Sequence, residues 1–205
     1  MPVLGRTRKE VLTEFRSTEL LEAARRVFGE KGFHGATVDD IAEAAGVAKG
    51  TLYLYYPSKH AVYWAALKHG IIALLDELHR SMSRESAVEG KIRAYIRTKM
   101  LYFEEHRDFF RIYFSEFGHA LSHPAEVGKD FQDLYLRQTK LLSPVVAEGV
   151  RRKVLRDVPP KATAEAIADV TRGAITRRLI GSSRGDIQQD IDFIFDLVWK
   201  GMGRR

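Results

Sequence analysis

The chain has 205 residues, 45% of them hydrophobic and 29% charged, which is enough apolar side chain for one large domain or a small one joined to a larger one. It holds no cysteine, which excludes disulfides and thiolate metal sites, and no run approaches the roughly 20 apolar residues of a membrane span; a cytoplasmic protein is expected. The net charge of +6 invites nucleic acid as a partner, yet residues 1–66 hold nine Lys and Arg against eight Asp and Glu (9 − 8 = +1), so local pattern outweighs the total.

Residues 1–16 read as a polar basic arm carrying Arg6, Arg8, Lys9 and Arg16. It is either a disordered leader or an arm that reaches a minor groove or the DNA backbone. A first helix follows over Ser17–Lys31, with Leu20, Leu21, Ala24, Val27 and Phe28 at core spacing. Thr37 with Asp40 three residues on forms a capping-box pattern that starts a second helix, whose buried face is Val38, Ile41, Ala42 and Ala45. Gly46 fits a sharp turn. A third helix near Ala48–Tyr55 is then pinned by Val47 and Leu52, which leaves Lys49, Gly50, Thr51, Tyr53 and Tyr55 outward, with Lys59 just beyond. Between Ala44 and Val62 the chain has two lysines and no acid, a pattern suited to a duplex whose phosphates flank readable base edges.

Pro57 and Ser58 break and restart the chain, and Ser58 can cap a long helix to about Met82. Its first part, with Val62, Trp64, Ala65 and Leu67, suits the motif's underside; its later part, with Ile71, Ile72, Leu74, Leu75 and Leu78, suits a second domain. Five further helices are predicted near 86–106, 108–119, 125–153, 161–182 and 186–201. Pro124 fits a helix first turn, Pro144 falls inside a helix that it should kink, and Pro159-Pro160 stops one. Asp186 with Gln189 three residues on reads as another capped start, and Gly201 as the end of the last helix. Ten aromatics crowd residues 95–135, a density that fills a core and also suits the wall of an apolar pocket.

The segments ELLEAARRVFGEKGFHGAT and TVDDIAEAAGVAKGTLYLYYPSK resemble the DNA-binding domain of the TetR family of transcriptional regulators, over about residues 14–74. The chain departs from the family pattern at Ala48, where Ser or Thr often caps the recognition helix at a gain of roughly 0.5–2 kcal/mol. It departs also at Tyr56, where Phe is usual, and at His60-Ala61, which replace an acidic pair.

The resemblance implies an all-α fold of about nine helices. A basic arm (1–16) leads into a helix-turn-helix domain (14–74, motif 37–56), and a helical bundle for ligand binding and dimerisation takes residues 75–205. It implies a homodimeric repressor on palindromic operator DNA, released by a small hydrophobic or aromatic effector, without cofactor or metal. Lys49, Gly50 and Thr51 would lie nearest base edges; Thr37, Tyr53, Tyr55 and Lys59 would set phosphates. Tyr102, His106, Phe110, Tyr113 and Phe117 would line the effector pocket. Ile167, Val170, Ala174, Ile191, Phe195, Val198 and Trp199 would face the second copy, with Ala166 and Gly173 permitting close approach.

Other chemistry is less well supported. GSSRG at 181–185 matches a hydrolase nucleophile pattern, but it lies between helices and no histidine follows His123. His119 and His123 share helical spacing near Glu116, yet Gly118 and Pro124 mark a helix end there. Without a convergent nucleophile, base and orienter, no enzyme is predicted. The competing class is a helical small-molecule carrier or scaffold whose motif no longer reads DNA; the intact KGTLY and Ser58-Lys59 argue against it.

Overall fold

The structure is a computed structural model that describes residues 8–122 and 129–203. These form an all-α fold of nine helices: α1 (Arg8–Gly35), α2 (Val38–Ala44), α3 (Lys49–Tyr55), α4 (Lys59–Ser83), α5 (Val88–Glu105), α6 (Arg107–Ser122), α7 (Lys129–Arg151), α8 (Pro160–Leu179) and α9 (Ile187–Met202). No helix among the described residues is long and apolar enough to cross a membrane. Pro160 sits in the first turn of α8, Asp186 caps α9 by accepting from the Gln188 amide at 2.9 Å, and α7 continues through Pro144. Pro124 and His123 lie outside the described residues.

Helix α1 begins at Arg8, well before the expected Ser17. Residues 8–16 contain neither Gly nor Pro and are rich in helix formers, so nothing in them stops the helix from extending backwards. Its other end breaks at Gly32, where φ is +69°.

The chain divides into two compact units, one of Met1–Gly70 with Asp108–Gly118, the other of Ile71–Arg107 with His119–Arg205. The first recruits a segment from mid-chain, which the sequence pattern did not indicate. Its core gathers Leu20, Ala24 and Phe28 of α1, Ile41 of α2, Leu52 of α3, Val62 and Leu67 of α4, and Phe109, Phe110 and Tyr113 of α6, all buried. The ring of Tyr63 meets Phe28 edge-on at 5.0 Å, and its hydroxyl donates to Glu116 at 2.6 Å. Arg25 of α1 donates to Asp108 at 2.9 Å. These polar contacts fix α1 and α4 against the start and end of the recruited segment.

In the second unit α7 and α8 form the most extensive helix pair, and α5 packs on α7, α8 and α9. Ile92, Tyr95, Ile96 and Phe103 of α5 meet Leu142 and Val146 of α7, Ile167 and Ile175 of α8, and Ile191, Ile194 and Phe195 of α9 in one buried core. Two cations are buried in this unit. Arg178 donates to Glu104 at 3.0 Å, to Asp190 at 2.6 Å and to the Gly185 carbonyl at 2.8 Å. Lys99 is only 3% exposed, and burial together with the Arg172 charge lowers its pKa to about 7 despite Asp169.

Candidate nucleic-acid interface

Helix α2 is set by a complete capping box. The Thr37 Oγ1 accepts from the Asp40 amide at 3.1 Å, and the Asp40 carboxylate accepts from the Thr37 amide at 2.8 Å. Lys31 adds an ion pair to Asp40 at 2.7 Å. Those bonds, the one from Lys31 foremost, lower the Asp40 pKa to about 2. Thr37 is exposed, but its hydroxyl is already employed in starting the helix.

The chain leaves α2 through Gly46, which takes φ +65°, a backbone state that a side chain would oppose. Helix α3 then starts at an Ala48 N-cap with no side-chain hydrogen bond, as the departure from the family pattern predicts. Leu52 is 1% exposed and anchors α3, while Val47 is half-buried. Tyr56 takes advantage of being a tyrosine: its hydroxyl lies 2.8 Å from Ser17 Oγ, tying the end of α3 to α1 in a way that Phe could not.

The outward residues differ in how free they are. Gly50 is exposed, with nothing within 4 Å of where a Cβ would stand, and Tyr53 is 45% exposed. Thr51 and Tyr55 are half-buried. The Lys49 ammonium pairs with Asp39 at 2.8 Å, which raises its pKa, but both partners are well exposed and such a pair is worth only ~0–1 kcal/mol. Exchange of Asp39 for a phosphate is therefore cheap.

Lys59 differs from expectation. Its ammonium donates to the carbonyls of Phe33 at 2.8 Å and Ala36 at 3.0 Å and stands 4.5 Å over the Phe33 ring. One carbonyl in the last turn of α1 and one just past its end attract the cation that a phosphate was expected to take. Lys59→Ala should consequently cost about 1–2 kcal/mol of stability and leave the salt slope of DNA binding nearly unchanged. Melting curves and salt titrations read both; a slope reduced by about one at unchanged stability would restore the phosphate role.

Leu54, not singled out by the sequence pattern, is the most exposed large apolar side chain among the described residues, at 84%. Its position four residues after Gly50 and two after buried Leu52 was the available signal.

The five expected pocket residues do not gather in one unit. Tyr102 and His106 belong to the second, their rings 4.1 Å apart, whereas Phe110, Tyr113 and Phe117 belong to the first. Phe110 and Tyr113 are 1% and 3% exposed, as core residues are. The dimer expectation also needs correction. Ile167, Ala174, Ile191 and Phe195 are 1–2% exposed, consumed by the core of their own chain, and offer no surface to a second copy. Val198 and Trp199 are half-buried, with Trp199 stacked on Phe195 at 5.8 Å. Of the expected residues Val170 of α8 is exposed, at 38%, and it is joined by two apolar groups of α9 outside the expected set, Phe193 and Leu197, at 64% and 55%. Phe193 and Leu197 line a shallow surface groove with Arg93, Asp192, Asp196 and Lys200. GSSRG occupies the turn between α8 and α9, without the strand that a nucleophile elbow needs. His119 lies in α6 and His123 outside the described residues, so the structure gives no geometry for that pair.

Residues 20–66 match the model of the bacterial regulatory proteins, tetR family. The chain is 28% identical over 164 residues to the uncharacterised helix-turn-helix regulator YvdT of Bacillus subtilis, covering 80% of this chain and 82% of that one. It is 40% identical over 81 residues to the regulator RutR of Escherichia coli, spanning only 38% of that protein. Among solved structures, the regulator FadR of Bacillus subtilis in complex with stearoyl-CoA superposes with a TM-score of 0.75 at 16% identity, covering 90% of this chain and 98% of that one.

Proposed function

Because the chain is a TetR-family transcriptional regulator, we propose that it is a homodimeric repressor whose two α3 helices enter successive major grooves of a palindromic operator. The observation that carries this reading is the motif itself. A capped α2, a glycine turn and an anchored α3 project Gly50, Tyr53 and Leu54 from one exposed face. Two such heads read half-sites one or more turns apart, at ~34–36 Å per turn. Selection of genomic fragments by the purified protein at near-physiological salt tests it. An inverted repeat is the expected product; recovery of unrelated, salt-sensitive fragments only would overturn it in favour of a helical carrier.

The second copy docks on the α8–α9 surface through Val170, Phe193 and Leu197. A rim of both charge signs, from Arg93, Asp192, Asp196 and Lys200, supports an isologous contact. Phe193→Asp should convert a dimer to a monomer in sedimentation, and a dimer that survives it would reject this face.

A small hydrophobic effector binds in the C-terminal unit near Tyr102 and His106 and releases the operator. The aromatic content of α5 and the stearoyl-CoA held by the FadR structure favour an apolar ligand. Release requires the effector to prefer the DNA-incompetent state by ~1–3 kcal/mol. Helices α4 and α6, which both supply residues to the two units, are the covalent routes for that coupling.

A further inference from the structure

We propose that Leu54 reads thymine, through the C5-methyl group, at a base pair under the C-terminal end of α3. The inference rests on the regulator reading above and adds the base that the reading helix selects.

Leu54 is the most exposed large apolar side chain among the described residues, at 84%. Single exposed leucines are ordinary on protein surfaces; this one is distinguished by where it stands. At 100° per residue, Gly50 and Leu54 fall within about 40° of each other and directly opposite Leu52, the buried anchor. The outermost line of α3 therefore bears no hydrogen-bonding side chain at all. Thr51 and Tyr53, which have one, stand on its flanks.

Gly50 leaves open space where a Cβ would be, so the helix backbone can approach a groove floor closely enough for the leucine methyls to touch it. On that floor the base edges offer acceptors, amino donors and a single kind of apolar group, the thymine methyl. Against guanine or cytosine, Leu54 would cover a polar edge and return no hydrogen bond, leaving it desolvated and unpaired. Against thymine it buries methyl on methyl. The expected readout at this pair is A·T or T·A, with the sense fixed by the strand that carries the methyl.

The test removes only that methyl. The operator is first selected from random duplexes, and each thymine of one half-site is then replaced singly by deoxyuridine. Binding of the unmodified protein and of Leu54→Ala is titrated against every duplex. One or two positions should weaken the unmodified protein by about fourfold, the worth of one buried methyl. At those positions Leu54→Ala should bind both duplexes equally, and because Leu54 is exposed the variant should melt like the parent. Indifference of the unmodified protein at every thymine, or sensitivity retained by Leu54→Ala, would overturn the proposal while leaving the regulator intact. Failure to select any operator would overturn both.

Discussion

Lys99→Met should stabilise the protein by roughly 3–5 kcal/mol below neutral pH, a gain that few single substitutions produce. Lys99 is 3% exposed within α5, and the face of Tyr95, 5.7 Å from its ammonium, is poor compensation for lost water. Burial first, and then the charge of Arg172, bring its pKa from 10.5 to about 7, against the pull of Asp169. The unfolded chain keeps the proton up to its ordinary pKa, whereas the folded chain releases it near 7. Between those values the unfolded state holds more protons, so the stability of the parent rises as pH increases through this window. The Met variant has no such rise. Urea melts at pH 6 and pH 10 should show a wide gap at the lower pH and a narrow one at the higher. A gap equally wide at both would mean that Lys99 is not a buried, strained charge.

Arg178→Ala should act in the opposite direction, costing about 2–4 kcal/mol. Its side chain is 7% exposed and binds Glu104 and Asp190, which are 29% and 25% exposed, along with the Gly185 carbonyl. Removing it abandons two partly buried carboxylates. Although burial alone would raise the pKa of Glu104, its bonds from Arg107 and Arg178 hold it below the ordinary value. That contribution is present above the unfolded pKa and is lost as pH falls through the folded one. Parent and variant should thus differ most near neutrality and converge in acid, as thermal melts across pH 7 to 3 would report. Two cations in one unit therefore have opposite effects because Arg178 has two carboxylates within hydrogen-bond reach, whereas burial and the Arg172 charge outweigh the pull of Asp169 on Lys99.

The motif was legible in the sequence because its determinants are local. Thr37 and Asp40 cap across three residues, Gly46 takes a positive φ, and the phase of Val38, Ile41 and Leu52 follows helical spacing. What escaped depends on residues far away in the chain. The ammonium of Lys59 is claimed by carbonyls of residues 33 and 36, which no pattern around position 59 reveals. On α9, Phe193 and Leu197 stand roughly 120–160° around the helix from Ile191 and Phe195, outside the apolar stripe that periodicity picks out. Periodicity cannot say that the stripe is consumed by the core of its own chain. Ile191 and Phe195 are buried, and Phe193 and Leu197 are left outside. Leu54 is inconspicuous in the sequence for a chemical reason: hydrogen-bond donors mark a helix that suits DNA and a leucine has none, although a methyl is also a legible feature of a base pair.

The recruitment of Asp108–Gly118 into the first unit bears on how this protein can be made and cut. A ribosome finishes α1 to α3 long before it reaches Phe109, so the reading head waits during synthesis for four of the side chains that hold it: Asp108, Phe109, Phe110 and Tyr113. A fragment ending near residue 74, the natural place to divide the sequence by eye, would lack them, together with the Glu116 that receives the Tyr63 hydroxyl. Chimaeras that transplant this helix-turn-helix unit onto another helical domain need residues 108–118 to travel with it, or a donor segment of matching shape.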